Sequence, residues 1–221
     1  MKKNLSILIL LITITAGFTS CKDKTKEAEI TEAEAPVVVD ETENIEVYNV
    51  VPKESSIEWK GTKPTGEHFG TIAIQEGTIE RSTTDGVVAG SITIDMNSIV
   101  VKDIPAEEEG NAKLLGHLKN EDFFDVENNP TSTFEITELV KSEGKNILSG
   151  NLTIKGITHN ISIPVSVDYT DNSATITSEA FTIDRTKWDI KYGSKSIFDN
   201  LGDKFISDDI EFKIVVKAAK A

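Results

Sequence analysis

Residues 148–167, LSGNLTIKGITHNISIPVSV, decide how this chain folds. Leu148, Gly150, Leu152 and Ile154 fall on one side of an extended segment, and Ser149, Asn151, Thr153 and Lys155 fall on the other. Beyond Lys155-Gly156 the alternation resumes, with Ile157, Ile161, Ile163, Val165 and Val167 on one side and Ser162, Pro164, Ser166 and Asp168 on the other. A period of two gives each strand one buried and one wet face. Gly156 supplies the backbone freedom that a tight connection needs. Pro164 has no N–H to give to a ladder, so it marks an edge position or a bulge. A single hairpin cannot bury its own apolar face. Other segments with the same alternation must therefore close around it.

Those segments lie on both sides of the hairpin. Residues 56–60 carry Ile57 and Trp59 on one face, and residues 61–69, GTKPTGEHF, form a loop. Residues 71–80 carry Ile72, Ile74 and Ile79, with Gly77 suggesting a bulge. Thr84-Asp85-Gly86 is a hairpin turn signal, and residues 88–96, 133–139, 175–183 and 210–216 alternate in turn. A further strand begins between Ile45 and Val51. About eight strands at hairpin spacing predict an antiparallel barrel or sandwich. One stretch breaks the pattern: in residues 105–122, PAEEEGNAKLLGHLKNED, Leu114, Leu115 and Leu118 recur at helical spacing behind three glutamates. Acidic residues favour a helix N-terminus, so a short helix is expected after Gly110.

The N-terminal part has a different composition. Lys2 and Lys3 precede an apolar run, LSILILLITITA, over residues 5–16. It is shorter than the roughly 20 residues needed to span a bilayer, and reads as a signal peptide over residues 1–20. The sequence FTSC ending at Cys21, the single cysteine of the chain, resembles a bacterial lipobox. That motif implies lipidation of Cys21 and attachment to the membrane; the alternative is a plain signal peptide cleaved near a free thiol. Lys22 after the cysteine favours, by enterobacterial sorting, the outer membrane, facing the periplasm or the surface. Residues 21–44 are acidic and lack aromatics, and are expected to be a disordered tether, with a short helix over residues 26–35 as the alternative. Residues 45–221 then form one domain, and removing everything before Asn44 is expected to leave its melting temperature nearly unchanged. Of the 221 residues, 37 are acidic and 23 basic, a net charge of −14, which argues against a nucleic-acid partner.

Several pieces, in order, resemble the YceI-like family of lipocalin-like barrels that bind polyisoprenoids or other long-chain lipids. They are SSIEWKG, EHFGTIAIQEGTI, GSITIDMNSIV, HLKNEDFFDVENNPTSTFEI, LSGNLTIKGITHNISIPV, FTIDRTKWDIKYG and IEFKIVVKA, together covering roughly residues 47–219. HLKNEDFFDVENNPTSTF and LTIKGITHNISIPV are the most specific, being long and irregular. The resemblance implies an all-β fold: an eight-stranded antiparallel barrel with one short helix around an elongated apolar cavity.

Candidate cavity residues are Trp59, His68, Phe69, Phe123, Phe134, Leu152, Phe181, Arg185 and Trp188. The aromatic residues serve equally as ordinary core, since small barrels can be filled by side chains. Arg185 meets either a lipid head group or a neighbouring carboxylate, Asp184 or Asp189. The three histidines, His68, His117 and His159, are too widely spaced to read as a zinc site. No metal, cofactor or enzymatic activity is expected. The expected function is an envelope protein that carries or stores a long-chain apolar lipid, polyisoprenoid or fatty-acyl, inside the barrel. The alternative is a tethered protein–protein adaptor with a filled barrel; homodimerisation is open on the sequence alone.

Overall fold

In the computed structural model, residues 25–39, 44–84, 86 and 88–221 are described; the expected signal peptide and Cys21 lie outside them. The strands are β1 (Lys26–Glu27), β2 (Glu29–Thr31), β3 (Ile45–Val50), β4 (Ser56–Lys63), β5 (Gly66–Ser82), β6 (Val88–Val101), β7 (Thr131–Ser142), β8 (Lys145–Ile154), β9 (Ile157–Tyr169), β10 (Ser173–Ser178), β11 (Phe181–Asp184) and β12 (Asp209–Lys220). Among the described residues one α-helix is present, α1 (Glu109–Lys119), beginning slightly earlier than its leucine spacing predicts.

The 148–167 hairpin forms as its alternation requires. β8 and β9 pair from Asn146↔Val165 to Ile154↔Ile157. Lys155 and Gly156 between them have φ of 50° and 74°. Two successive positive-φ residues match the right-handed twist of the flanking strands, so the turn holds the register. From this hairpin the sheet extends both ways and closes: β4–β5–β6–β7–β8–β9–β10–β12 form a ring, with β12 pairing back to β4. This is the expected eight-stranded antiparallel barrel.

Two walls are interrupted strands. β3 continues the line of β4, pairing with the distal parts of β5 and β12. β11 likewise continues β10 along β12, so the strand expected over residues 175–183 breaks at residues 179–180. That break leaves a seam. β10 pairs with β9 only from Val165↔Ser178 onward, so the first half of β9 has no barrel neighbour opposite β8. Pro164 sits at this change of neighbour, its carbonyl accepting from Glu179 N–H (3.3 Å), as a residue without a donor should.

The seam is filled by the segment expected to be a tether. β1 pairs in parallel with β11, and β2 pairs antiparallel with β9 over Asn160–Ser162. Thr25 Oγ1–H donates to Glu211 Oε2 (2.6 Å). The chain then crosses the outer face of the barrel. Asn151 accepts from Glu34 N–H (3.0 Å) and donates to Glu34 O (2.7 Å), and Val37 N–H donates to Ile136 O (3.1 Å) at the bulge of β7. Residues 25–39 are thus neither a free tether nor a helix. The reason is tertiary: the exposed edges of β9 and β11 offer a backbone ladder, and unpaired edges are unfavourable. Ala28 and Val39 become buried, and so do Asn151, Asn160 and Thr137 on the outer face, where Asn160 Nδ2 donates to Thr137 Oγ1 (2.8 Å) and Asn151 Oδ1 (3.2 Å). Residues 25–39 are called the strap below. A chain beginning at Asn44 should therefore lose about 3 kcal/mol, or roughly 6–12 °C in melting temperature. Thermal denaturation of the two lengths checks this, and an unchanged melting temperature would show that the strap contributes nothing.

The barrel has two unlike ends. At one, Tyr48 and Tyr169 pack with ring centroids 5.8 Å apart, and Arg81 lies 4.4 Å over the Tyr169 ring. At the other, α1 and the segment after it lie across the opening, where Phe124 N–H donates to Leu118 O (3.1 Å).

Candidate ligand-binding site

Inward-facing positions of the ring enclose an apolar cavity of about 100 Å³. Ile, Leu, Val, Met and Phe side chains line it, with Ser132 and Ser178 the polar residues of the lining. Ser178 Oγ is turned to the wall, where it accepts from Ile214 N–H (2.9 Å). On β8 alone the lining runs from Leu148 to Ile154, about 20 Å at the usual strand rise. A narrow space of that length matches one extended chain better than a compact ring system. The Phe134 ring lies directly over Gly150: a Cβ there would come within 2.2 Å of it. Gly150 is therefore what lets this ring lie flat on the wall instead of filling the cavity.

At the α1 end a second space of about 270 Å³ opens, here called the vestibule. Trp59, His68, Leu114, His117, Phe123 and Tyr192 help to line it, and Phe124 and Phe212 line both spaces, forming a neck. Trp59 packs on Gly70, where a Cβ would meet the indole at 2.9 Å and Val100 O at 1.8 Å. Its Nε1 is buried with no hydrogen-bond partner, and so is His117 Nε2. The His117 ring meets Tyr192 and Phe123 edge-on, at 4.4 and 5.5 Å between centroids. Each unpaired buried polar group costs about 1–3 kcal/mol.

At the rim, His68 Nδ1–H donates to Asp103 Oδ2 (2.7 Å), and Phe69 N–H donates to Asp103 Oδ1 (3.0 Å). Burial pushes the Asp103 carboxyl up, but the Phe69 N–H and the His68 ring outweigh it and leave its pKa below the usual aspartate value. A lowered folded-state pKa stabilises the fold above the unfolded value, and that stability is lost as pH falls through the folded one. Asp103→Asn should therefore be less stable than wild type at neutral pH, with the gap closing below about pH 4. Denaturant titrations at several pH values check the sign; a gap that widens in acid contradicts it.

The structure sorts the nine sequence candidates. Phe134, Leu152 and Phe181 line the barrel cavity, and Trp59, His68 and Phe123 line the vestibule. Three lie elsewhere. Phe69 is on the outer face, 43% exposed, because its even-numbered neighbours on β5 point inward. Arg185 is sealed in the turn after β11. Its Nε–H donates to Ser207 O (3.0 Å), Nη1–H to Ile190 O (2.6 Å) and Nη2–H to Ile206 O (3.1 Å), with Asp208 Oδ1 at 3.6 Å. Burial draws its pKa down, opposed by Asp208 and Asp184. Neither expected carboxylate pairs with it: Asp184 caps Thr186, and Asp189 pairs with Lys191. Trp188 is fully buried, its Nε1–H donating to Leu152 O (3.1 Å) and its ring edge-on to His159 (5.2 Å). Three contributors lie outside the nine candidates: Phe124 and Phe212 at the neck, and His117, which lines the vestibule together with His68 although the two are far apart in sequence. Among the described residues no group of three His, Cys, Asp or Glu is placed to hold a metal ion.

The fold has known counterparts. The chain is similar to BcnA of Burkholderia cenocepacia, with a TM-score of 0.59 and 19% identity over 76% of this chain and 99% of that one. It is also similar to a polyisoprenoid binding domain from Saccharophagus degradans implicated in plant cell wall breakdown, with a TM-score of 0.55 and 14% identity over 79% of this chain and 98% of that one. In sequence it resembles UPF0312 proteins of Pseudomonas aeruginosa (strain LESB58) and Pseudomonas paraeruginosa, each 38% identical over 73 residues, 33% of this chain and 34% of the relative. The match spans about a third of the length of those relatives. The YceI-like domain model matches residues 48–218, nearly the whole barrel, and the chain belongs to the YceI-like domain family.

Proposed function

We propose that the barrel binds one long apolar chain, polyisoprenoid or fatty-acyl, and carries or stores it in the cell envelope. The observation that carries this reading is the continuous apolar lining, seven residues long on β8 from Leu148 to Ile154, in which Ser132 and Ser178 are the polar residues and the Ser178 hydroxyl is turned to the backbone. Each buried CH₂ contributes about 0.8 kcal/mol, so ten of them supply roughly 8 kcal/mol before the cost of association is subtracted. Affinity of that kind needs no polar recognition along the chain. The Saccharophagus domain, described as polyisoprenoid binding, supports the same class of ligand. Native mass spectrometry of the purified protein tests the reading, followed by organic extraction of whatever it holds. A bound mass released as a long-chain lipid is expected. Protein that is empty and takes up neither isoprenoid nor fatty-acyl probes would favour a protein–protein adaptor.

Attachment through a lipidated Cys21 belongs to the same proposal. Four residue steps separate Cys21 from Thr25, a reach of at most about 14 Å. Because the strap is laid on the barrel from Thr25 onward, such an anchor would hold the barrel close to the bilayer rather than at the end of a long leash. This proximity suits exchange of lipid between membrane and barrel. Mass spectrometry of the mature protein from membranes should find an acylated Cys21 at the N-terminus; any other N-terminus rejects the anchor.

A further inference from the structure

The strap covers an interruption in the ring. Among the described residues β9 and β11 share no ladder, and the space between them is bridged by residues 26–31. Both banks of that seam belong to the cavity: Ile161 and Ile163 on β9 and Phe181 and Ile183 on β11 all line it. Ala28 is buried in the same core and Ile30 packs against it, so here the strap is the wall. The fastening is light. Two register pairs join the strap to β11 and three join it to β9, against nine between β8 and β9. Ala28 and Val39 are its buried side chains, and the others are exposed or half-buried. An element held mainly by backbone bonds, with little apolar burial, opens well before the domain unfolds. Resting on the lipid-binding reading above, we propose that the seam is the ligand's entrance: the strap lifts from β9 and β11, and the chain enters the barrel sideways from the bilayer.

The two ends of the barrel suit this role less well. One is stopped by the Tyr48 and Tyr169 rings, with Arg81 over the latter. At the other, a chain would pass end-on through the neck between Phe124 and Phe212, its full length sliding past both rings. The seam instead runs beside the cavity. The stretch of β9 that lacks a barrel neighbour, up to Pro164, pairs on its other edge with β8 from Ile147 to Ile154, and that run of β8 lines the cavity. Lys187 O, 3.0 Å from His159 Nε2, and the Trp188 ring close the α1 side of the seam, and the strap closes the part beside Asn160–Ser162. The strap also begins in the right place. Thr25 is four residue steps from Cys21, so the anchor proposed above holds the bilayer within about 14 Å of Thr25. The loss of stability expected on removing the strap corresponds to roughly one molecule in a hundred with the strap lifted, a minor state of ordinary size for a gate.

The test locks the strap and reads rates. Glu29 and Ser162 are directly paired between β2 and β9, and paired residues of antiparallel strands have Cα atoms close enough for a disulfide. The full chain carrying Glu29→Cys and Ser162→Cys is offered vesicles of phosphatidylcholine that contain a fluorescent long-chain alkyl probe. Relative to the reduced form of the same protein, the oxidised form should take up and release the probe about tenfold more slowly, because a gate acts on both rates. Ala28→Asp puts a charge at the buried point of the strap and should speed uptake by about tenfold. In the wild type, Ala28 N–H, which donates to Thr182 O (2.8 Å), should exchange with deuterium at least about tenfold faster than the amides of β8. These last two measurements decide the matter where the introduced thiols do not join. Uptake that is indifferent to the closed disulfide would move the entrance to the vestibule and overturn the portal while leaving lipid binding intact. An Ala28 amide as slow as those of β8, or wild-type uptake by Ala28→Asp, would overturn it in the same way. Failure of the wild type and both variants to take up the probe, from vesicles or from detergent solution, would overturn the lipid reading itself and the portal with it.

Discussion

Arg185→Met should destabilise the domain by about 3–5 kcal/mol, roughly 6–20 °C in melting temperature for a domain of this size. The side chain is 1% exposed, and its donors satisfy three backbone carbonyls in the segments that close the α1 end. Methionine fills a similar volume but leaves Ser207 O, Ile190 O and Ile206 O without that partner. It also strips the nearest cation from Asp208, whose Oδ1 has no hydrogen bond of its own. Arg185→Lys should recover little of the loss, because a single ammonium cannot reach three carbonyls arranged around a planar fork. The variant, where folded, should take up lipid as the wild type does, since Arg185 lines neither the cavity nor the vestibule. Chemical denaturation and lipid uptake on the same preparation separate the two roles. A stable Arg185→Met protein that fails to bind lipid would make this arginine a ligand contact.

Leu152→Trp should do the reverse, cutting uptake of a long-chain lipid by more than about tenfold while changing the stability of the empty domain by less than about 1 kcal/mol. Leu152 lines the barrel cavity in mid-strand, opposite His159 on β9 and Phe134 on β7. Overpacking a filled core costs about 1–3 kcal/mol, because side chains are forced off their rotamers. Here the added ring has a cavity of about 100 Å³ to enter, so it takes the ligand's place instead of straining the wall. The contact that Leu152 makes through its carbonyl, accepting from Trp188 Nε1–H at 3.1 Å, does not involve the side chain and should survive. Fluorescence uptake assays and thermal melts on the same variant decide the matter. A domain strongly destabilised by the tryptophan would mean that the interior is packed at this level.

The two substitutions differ in how far the sequence foretold them. Leu152 was legible because strand alternation assigns faces without knowledge of neighbours. The same rule placed Phe134 and Phe181 inward and, applied to β5, would have put Phe69 outward beside the inward Ile72 and Ile74. Arg185 was not legible. Its partners are backbone carbonyls at residues 190, 206 and 207, and every residue type carries such a group. The carboxylates adjacent in sequence, Asp184 and Asp189, were the natural guesses, but both are engaged locally.

By itself the sequence determined the period-two strands, the tight turn at Lys155-Gly156 and the helix between β6 and β7, and so an antiparallel barrel or sandwich, of which the YceI-like resemblance implied the barrel. These rest on local physics: side-chain alternation, a glycine at a positive-φ position, and leucines at helical spacing. Only the tertiary structure decided three other things. It joined Trp59, His68 and His117 into one vestibule, although they come from a strand, a neighbouring strand and the helix. It turned Arg185 away from any ligand. It also laid residues 25–39 against the outside of the barrel, burying Ala28 and Val39. That segment has too few apolar residues to order itself, and its composition alone predicts disorder. The fold supplies what the composition lacks, the unpaired edges of β9 and β11 at the seam, to which any backbone of suitable length can add.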